Sequence, residues 1–170
     1  MAAVLLSGVG VGCGGDSGAS ATSDPSGGAE ASSSFIKPGG KNQIPKFGDE
    51  ADEDEREAAS AVLQESIQAR AAGEWARQCE TLTAGRVKRV QETGASGNCA
   101  SALKIQAAPL SETQALRANT MTGPIDALRV EGDRGFALYH GRNGKDYAMP
   151  MREEDGEWKV SSLTETELRN

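Results

Sequence analysis

Two periods divide the chain. Between residues 49 and 107 apolar positions recur at three-to-four spacing, and between residues 125 and 163 they alternate. The first is the period of an amphipathic helix, the second that of a half-buried strand. A helix is predicted over residues 49–72, where Ala58/Ala59, Val62/Leu63, Ser66/Ile67 and Ala69/Arg70 form one stripe. Acids fill its first turns, which suits the positive end of the helix dipole, and Gly73 supplies a stop. A short helix over residues 74–82 holds Trp75 and Cys79 one turn apart, and residues 83–91 add a helical turn. Residues 94–98 form a loop that delivers Cys99, a helix follows over 99–107, Pro109 breaks it, and 111–117 form another short helix.

After Gly123-Pro124 four strands are predicted. Residues 125–131 set Leu128 and Val130 on one face. Residues 136–141 set Phe136, Leu138 and His140 toward the core, with Ala137 and Tyr139 on the other face. Residues 145–152 point Tyr147, Met149 and Met151 one way, and Pro150 between the methionines places this strand at an edge or a bulge. Residues 157–163 alternate Trp158, Val160 and Ser162 against Lys159 and Ser161, with Trp75 and Trp158 read as core. Asn143-Gly144 is a strong hairpin signal, and Gly132-Asp133 and Asp155-Gly156 mark the other turns. Helices followed by an antiparallel meander give an α+β fold, with the helices packed on one face of a four-stranded sheet.

Composition alters the picture at the N-terminal end. Residues 14–48 are dominated by Gly, Ser, Ala and Pro, with Phe35, Ile36, Ile44 and Phe47 the only large apolar side chains. So little apolar surface does not offset the entropy of ordering the chain, so residues 13–48 are expected to be a disordered linker and residues 49–170 a single domain. Charge is uneven. Residues 49–57 hold seven acids and one Arg, whereas residues 58–170 hold 15 acids and 14 bases. The folded part is therefore nearly neutral, without the basic footprint that nucleic-acid binding leaves. The nearest basic run, Arg86-Val87-Lys88-Arg89, reads as a solvated face.

Residues 2–11 form an apolar run about half the roughly 20 residues that a membrane-spanning helix needs. It matches the apolar core of a signal peptide, residues 1–12. Gly10-Val11-Gly12-Cys13 then resembles the lipobox of bacterial lipoproteins, although no Lys or Arg precedes the apolar run and Gly10 stands where Leu is usual. A start codon placed too late would explain the missing basic segment. The resemblance implies cleavage before Cys13, acylation of its thiol and a lipid anchor on the extracytoplasmic face of the cell membrane. The glycines at 10, 12 and 15 also fit a dinucleotide-binding pattern, but no strand and helix flank them, and that reading is discarded. With Cys13 acylated, Cys79 and Cys99 remain as an even pair. Export makes a bridge between them the expectation, and two buried free thiols are the alternative.

A wider resemblance rests on Ala72-Gly73-Glu74-Trp75, Cys79, Cys99, Val130-Glu131-Gly132-Asp133 and Asp155-Gly156-Glu157-Trp158-Lys159-Val160. Their order is similar to the nuclear transport factor 2-like (SnoaL-like) superfamily, in particular its small domains on lipoproteins of high-GC Gram-positive bacteria, over roughly residues 52–164. This implies a cone of curved sheet closed by a long N-terminal helix, with a pocket inside. Enzymes of the superfamily generally use an Asp–His pair or a lone acid in that pocket. Here the sole His is His140, with Asp126 and Asp146 as partners for proton abstraction, while Tyr139 and Tyr147 are the candidates for lining a ligand site. No metal or cofactor motif is present. Three roles follow as expectations: a non-catalytic module binding a small apolar ligand or an envelope protein partner, an isomerase or dehydratase built on His140, and a structural envelope protein.

Overall fold

A computed structural model describes residues 28–94, 97–107, 121 and 123–168. The lipobox Cys13 and the short helix expected over residues 111–117 lie outside the described residues. The chain runs α1 (Gly28–Ser33), a single 3-10 turn (Ile44–Lys46), β1 (Asp49–Glu50), α2 (Glu53–Ala72), α3 (Trp75–Glu80), α4 (Ala84–Thr93) and α5 (Cys99–Ala107). It then enters the strands β2 (Ala127–Glu131), β3 (Arg134–His140), β4 (Asp146–Glu154), β5 (Glu157–Val160) and β6 (Thr166–Glu167). The class is α+β, as expected, but the sheet has six strands among the described residues rather than four.

The long helix α2 has local signals at both ends. Asp52 caps it by accepting the Glu55 N–H at 2.9 Å, and Glu53, Asp54 and Glu55 follow in the first turn. The acids at 49 and 50, expected to be helical, instead form β1, because Asp49 and Glu50 pair with Val130 and Arg129 of β2. At the far end Gly73 takes φ 71° and closes a Schellman motif, with Glu74 N–H on Ala69 O at 2.8 Å and Gly73 N–H on Arg70 O at 3.2 Å. The buried stripe of α2 is Ala59, Ser60, Leu63, Ser66 and Ala69. Its side chains also serve the backbone ahead of β2. Ser60 Oγ accepts the Ile125 N–H at 3.1 Å and Arg56 donates to Ile125 O at 3.2 Å. Cys79 and Cys99 form a disulfide that joins α3 to the start of α5, with Cα atoms 6.2 Å apart.

The sheet is antiparallel, in the order β1-β2-β3-β4-β5, with β6 also paired to β4. Consequently β4 lies inside the sheet, not at an edge. Pro150 fits there because its carbonyl accepts Ser161 N–H at 3.0 Å, on the side where β5 ends and β6 has not yet begun. The missing proline N–H faces that same gap, so no ladder bond to β3 is lost.

Both faces of the sheet are covered, and this reverses the expected orientation. Ala137, Tyr139, Tyr147, Met149, Met151, Trp158 and Val160 face the helices and form the main core with Leu63, Leu82, Leu103 and the disulfide. Phe136 and Leu138 point the other way, into a smaller core with Ala127, Ala148, Leu168 and Phe35. Alternation along a strand shows which residues share a face, not which layer covers that face. The covering layer is a strap, residues 28–47, that belongs to the segment expected to be a disordered linker. Two small residues, Ala127 and Ala148, open space in the back face for Phe35, which is 4% exposed. Arg129 holds the strap at its far end. Its guanidinium donates to Phe47 O at 2.9 Å and to Gly48 O, and pairs with Glu50 at 3.1 Å.

Candidate functional site

The interior between helices and sheet is the first place where the family resemblance puts a site. It is filled. Tyr139 and Tyr147, the candidates for lining a ligand site, are 1% and 8% exposed and stack on each other with centroids 5.8 Å apart. The Tyr147 hydroxyl accepts from Asn143 Nδ2 at 2.7 Å. What remains open beside Tyr139 is a cavity of about 20 Å³ bordered by Leu63, Gln78 and Met149. That is room for one water molecule, not for an organic ligand.

The second place is His140. The structure does bring His140 and both carboxylates together, because the β3–β4 register sets His140 opposite Asp146. Nδ1 of the imidazole lies 2.8 Å from Asp146 Oδ1. Asp126 serves the main chain instead, with its Oδ2 accepting the backbone N–H of His140 at 3.2 Å. The cluster sits on the back face, away from the helices. Phe35 of the strap stacks on the imidazole with centroids 4.7 Å apart and planes 14° apart, and Lys37 pairs with Asp146 Oδ2 at 3.2 Å. Asp146, whose side chain is 9% exposed, therefore bridges His140 on the sheet and Lys37 on the strap. An Asp–His pair capped by a phenyl ring and bound to a lysine is arranged as a fastening for the strap. Among the described residues no cavity is lined by His140.

The third place does not stand out in the sequence. At the opposite end of the strap a cleft of about 620 Å³ opens between residues 43–47, the sheet and the start of α4. Its apolar lining comes from Ile44, Phe47, Phe136 and Pro150. Phe47 and Phe136 meet edge to face with centroids 5.0 Å apart. Three cations border it: Arg134 from β3, Arg152 from β4 and Arg89 from α4. Arg134 lies over the Phe47 ring at 5.5 Å from its centroid. Thr83 caps α4 by accepting Arg86 N–H at 3.1 Å, and Glu154 accepts Ala84 N–H at 2.8 Å, which fixes this helix end against the cleft.

These residues leave little trace in the sequence. Arg89 belongs to the run that reads as a solvated face, and Phe47 to the expected linker. The one readable signal is the alternation that puts Arg134 and Phe136 on one face of β3 and Pro150 and Arg152 on one face of β4. No helix among the described residues is long and apolar enough to cross a membrane. The chain matches no protein-family model, no curated protein and no solved structure.

Proposed function

We propose that this chain is a bacterial lipoprotein, acylated at Cys13 and held at the extracytoplasmic face of the membrane, whose domain is a non-catalytic binding module. The apolar run before Cys13 and the small residues around it support the anchor. The Cys79–Cys99 bridge supports export, since such bonds persist in oxidising compartments. A 20-residue helix laid on an antiparallel sheet supports the nuclear transport factor 2-like reading of the domain.

One observation carries the binding role. The cleft outside the sheet, about 620 Å³, is the size of a small-molecule site, whereas the interior cavity is about 20 Å³. The module therefore takes its ligand between strap and sheet rather than inside the cone. A structural envelope role is the second reading, favoured by the close packing around Tyr139 and Tyr147 among the described residues.

The anchor is tested by intact mass from a bacterial membrane fraction, wild type beside Cys13→Ala. The expected wild-type mass is residues 13–170 plus lipid, less two hydrogens for the bridge. An unlipidated, reduced chain beginning at Met1 would sink both anchor and export. For the binding role, extracytoplasmic compounds should protect Phe47 and Phe136 amide and ring signals from solvent and probe. Perturbation confined to other surfaces would leave the structural reading.

A further inference from the structure

The cleft carries charge as well as apolar surface. Resting on the binding reading above, we propose that its ligand is a small amphipathic anion: an apolar or aromatic body ending in a carboxylate, sulfonate or phosphate.

The first ground is a like-charge pair. Arg134 and Arg152 are register partners on β3 and β4, so their side chains stand side by side on one face. Like charges directly opposite each other destabilise a sheet unless something between them is negative. Each has one acid from the neighbouring turn. Arg134 Nη2 meets Glu131 at 2.7 Å, and Arg152 Nε meets Asp133 at 3.2 Å. A guanidinium has five N–H donors, so both keep donors for an oxyanion at the cleft. The second ground is Arg89, which lies across the cleft on another element and has no ion-pair partner among the described residues. The third is the state of the lining acid. Glu154 is the one carboxylate among the described lining residues, and the Ala84 N–H engages it. It is held toward the helix end, which leaves Arg89 without a carboxylate partner among the described residues and Arg134 and Arg152 each with one.

The apolar half of the ligand follows from the floor. Phe136 and Pro150 are flat and half-buried, and Ile44 and Phe47 face them from the strap. A wholly polar anion would leave that surface wet, and a wholly apolar body would desolvate Arg89 and the unused donors of Arg134 and Arg152 without giving them an acceptor. Only a molecule with both parts satisfies both halves.

Two fluorescent probes of one skeleton test this: anilinonaphthalene sulfonate, an aromatic anion, and phenylnaphthylamine, its neutral counterpart. The titrations use the full chain carrying Cys13→Ala, which cannot be acylated. The sulfonate is expected to bind at one site per chain, at least about tenfold tighter than the neutral probe. Arg89→Gln, on an exposed helix face, and Arg134→Gln should each weaken the sulfonate about tenfold, while Arg77→Gln, in an exposed ion pair elsewhere, should not. Phe47→Ala should weaken both probes. If the two probes bind equally, lose affinity with Phe47→Ala and ignore the arginine variants, the anion inference is overturned and the cleft remains an apolar site. If neither probe responds to any cleft variant, the binding role falls as well. Decanoate and phosphatidylglycerol vesicles then separate the sources. Decanoate displacing the sulfonate supports a free amphiphile, and cosedimentation with the vesicles that Arg134→Gln abolishes supports a lipid.

Discussion

At the scale of single residues, this fold depends on side chains that are absent as much as on those present. Gly94 ends α4 with φ −96° and ψ 135°, a conformation open to any residue. Yet a Cβ there would collide with the Ala102 Cβ of α5. Gly94→Ala should therefore destabilise through contact alone, by about 1–3 kcal/mol, read as a drop in the urea midpoint at unchanged slope. Gly135→Ala is milder in kind. Its Cβ would sit 3.0–3.1 Å from the Trp158 ring, which must shift for it to fit, so a change in the near-ultraviolet signal of Trp158 should accompany a loss at the low end of that range. The disulfide belongs to this scale too. Replacing Cys79 and Cys99 together by Ala should lower stability by about 3 kcal/mol, for a bridge spanning 20 residues. An unchanged thermal midpoint in the double variant would show that α3 and α5 hold together without it.

At the scale of elements, the turns are legible in the sequence and the ladder only partly so. Asp155-Gly156 makes a two-residue turn with both φ angles positive, 55° and 79°, as its sequence demands. Asn143-Gly144 also makes a hairpin, but of another kind. A two-residue turn there would pair Arg142 with Lys145 and set Arg134 opposite Glu153. Instead Gly141 N–H bonds Lys145 O at 2.8 Å, Gly144 takes φ 72°, and the loop holds three residues. That one-residue difference sets Arg134 against Arg152 and His140 against Asp146, so neither the cleft nor the His–Asp contact can be read from the dipeptide. β1 and β6 have two residues each and carry no period of their own; they exist because a neighbour pairs with them. The strap is hidden in the sequence because its average composition is polar, although Phe35, Ile44 and Phe47 are enough for a back face this small, with Ile36 left exposed. Its energetics are open to test. Phe35→Ala should cost about 3 kcal/mol by cavity formation, and protease cleavage near residue 40 should speed up before global stability is lost. Arg129→Ala strands the Glu50 carboxylate, with side chains 13% and 9% exposed in the native pair, and should destabilise by about 3 kcal/mol or more. A loss confined to a few tenths would mean that the strap is held by its other contacts, Phe35 and the Lys37–Asp146 pair among them, without Arg129.

For the whole molecule, three layers replace the expected two: helices, sheet and strap. The helical layer and the meander are both readable, because α2 and the strands keep their periods over many residues. The third layer is not, since it is sparse and distant in sequence from what it covers. This layering separates the two ends of the back face. One end, at His140, Asp146, Phe35 and Lys37, is closed by aromatic stacking and an ion pair. The other, at Phe47 and the arginines, is open. Arg129, through Phe47 O and Gly48 O, sets where residues 43–47 lie at the open end.

The strap also has a mechanical meaning. If the chain is tethered through Cys13, a pull from the membrane reaches Phe35 and, further along the strap, the bonds of Phe47 and Gly48 to Arg129 before it reaches β1. The strap would then yield before the domain, as a fuse does. Its 20 residues, 28–47, would add roughly 70 Å of extended chain on release. Release would carry Ile44 and Phe47 away from Phe136, so tension and occupancy of the cleft would oppose each other, and a bound ligand spanning strap and sheet would raise the force at which the fuse opens.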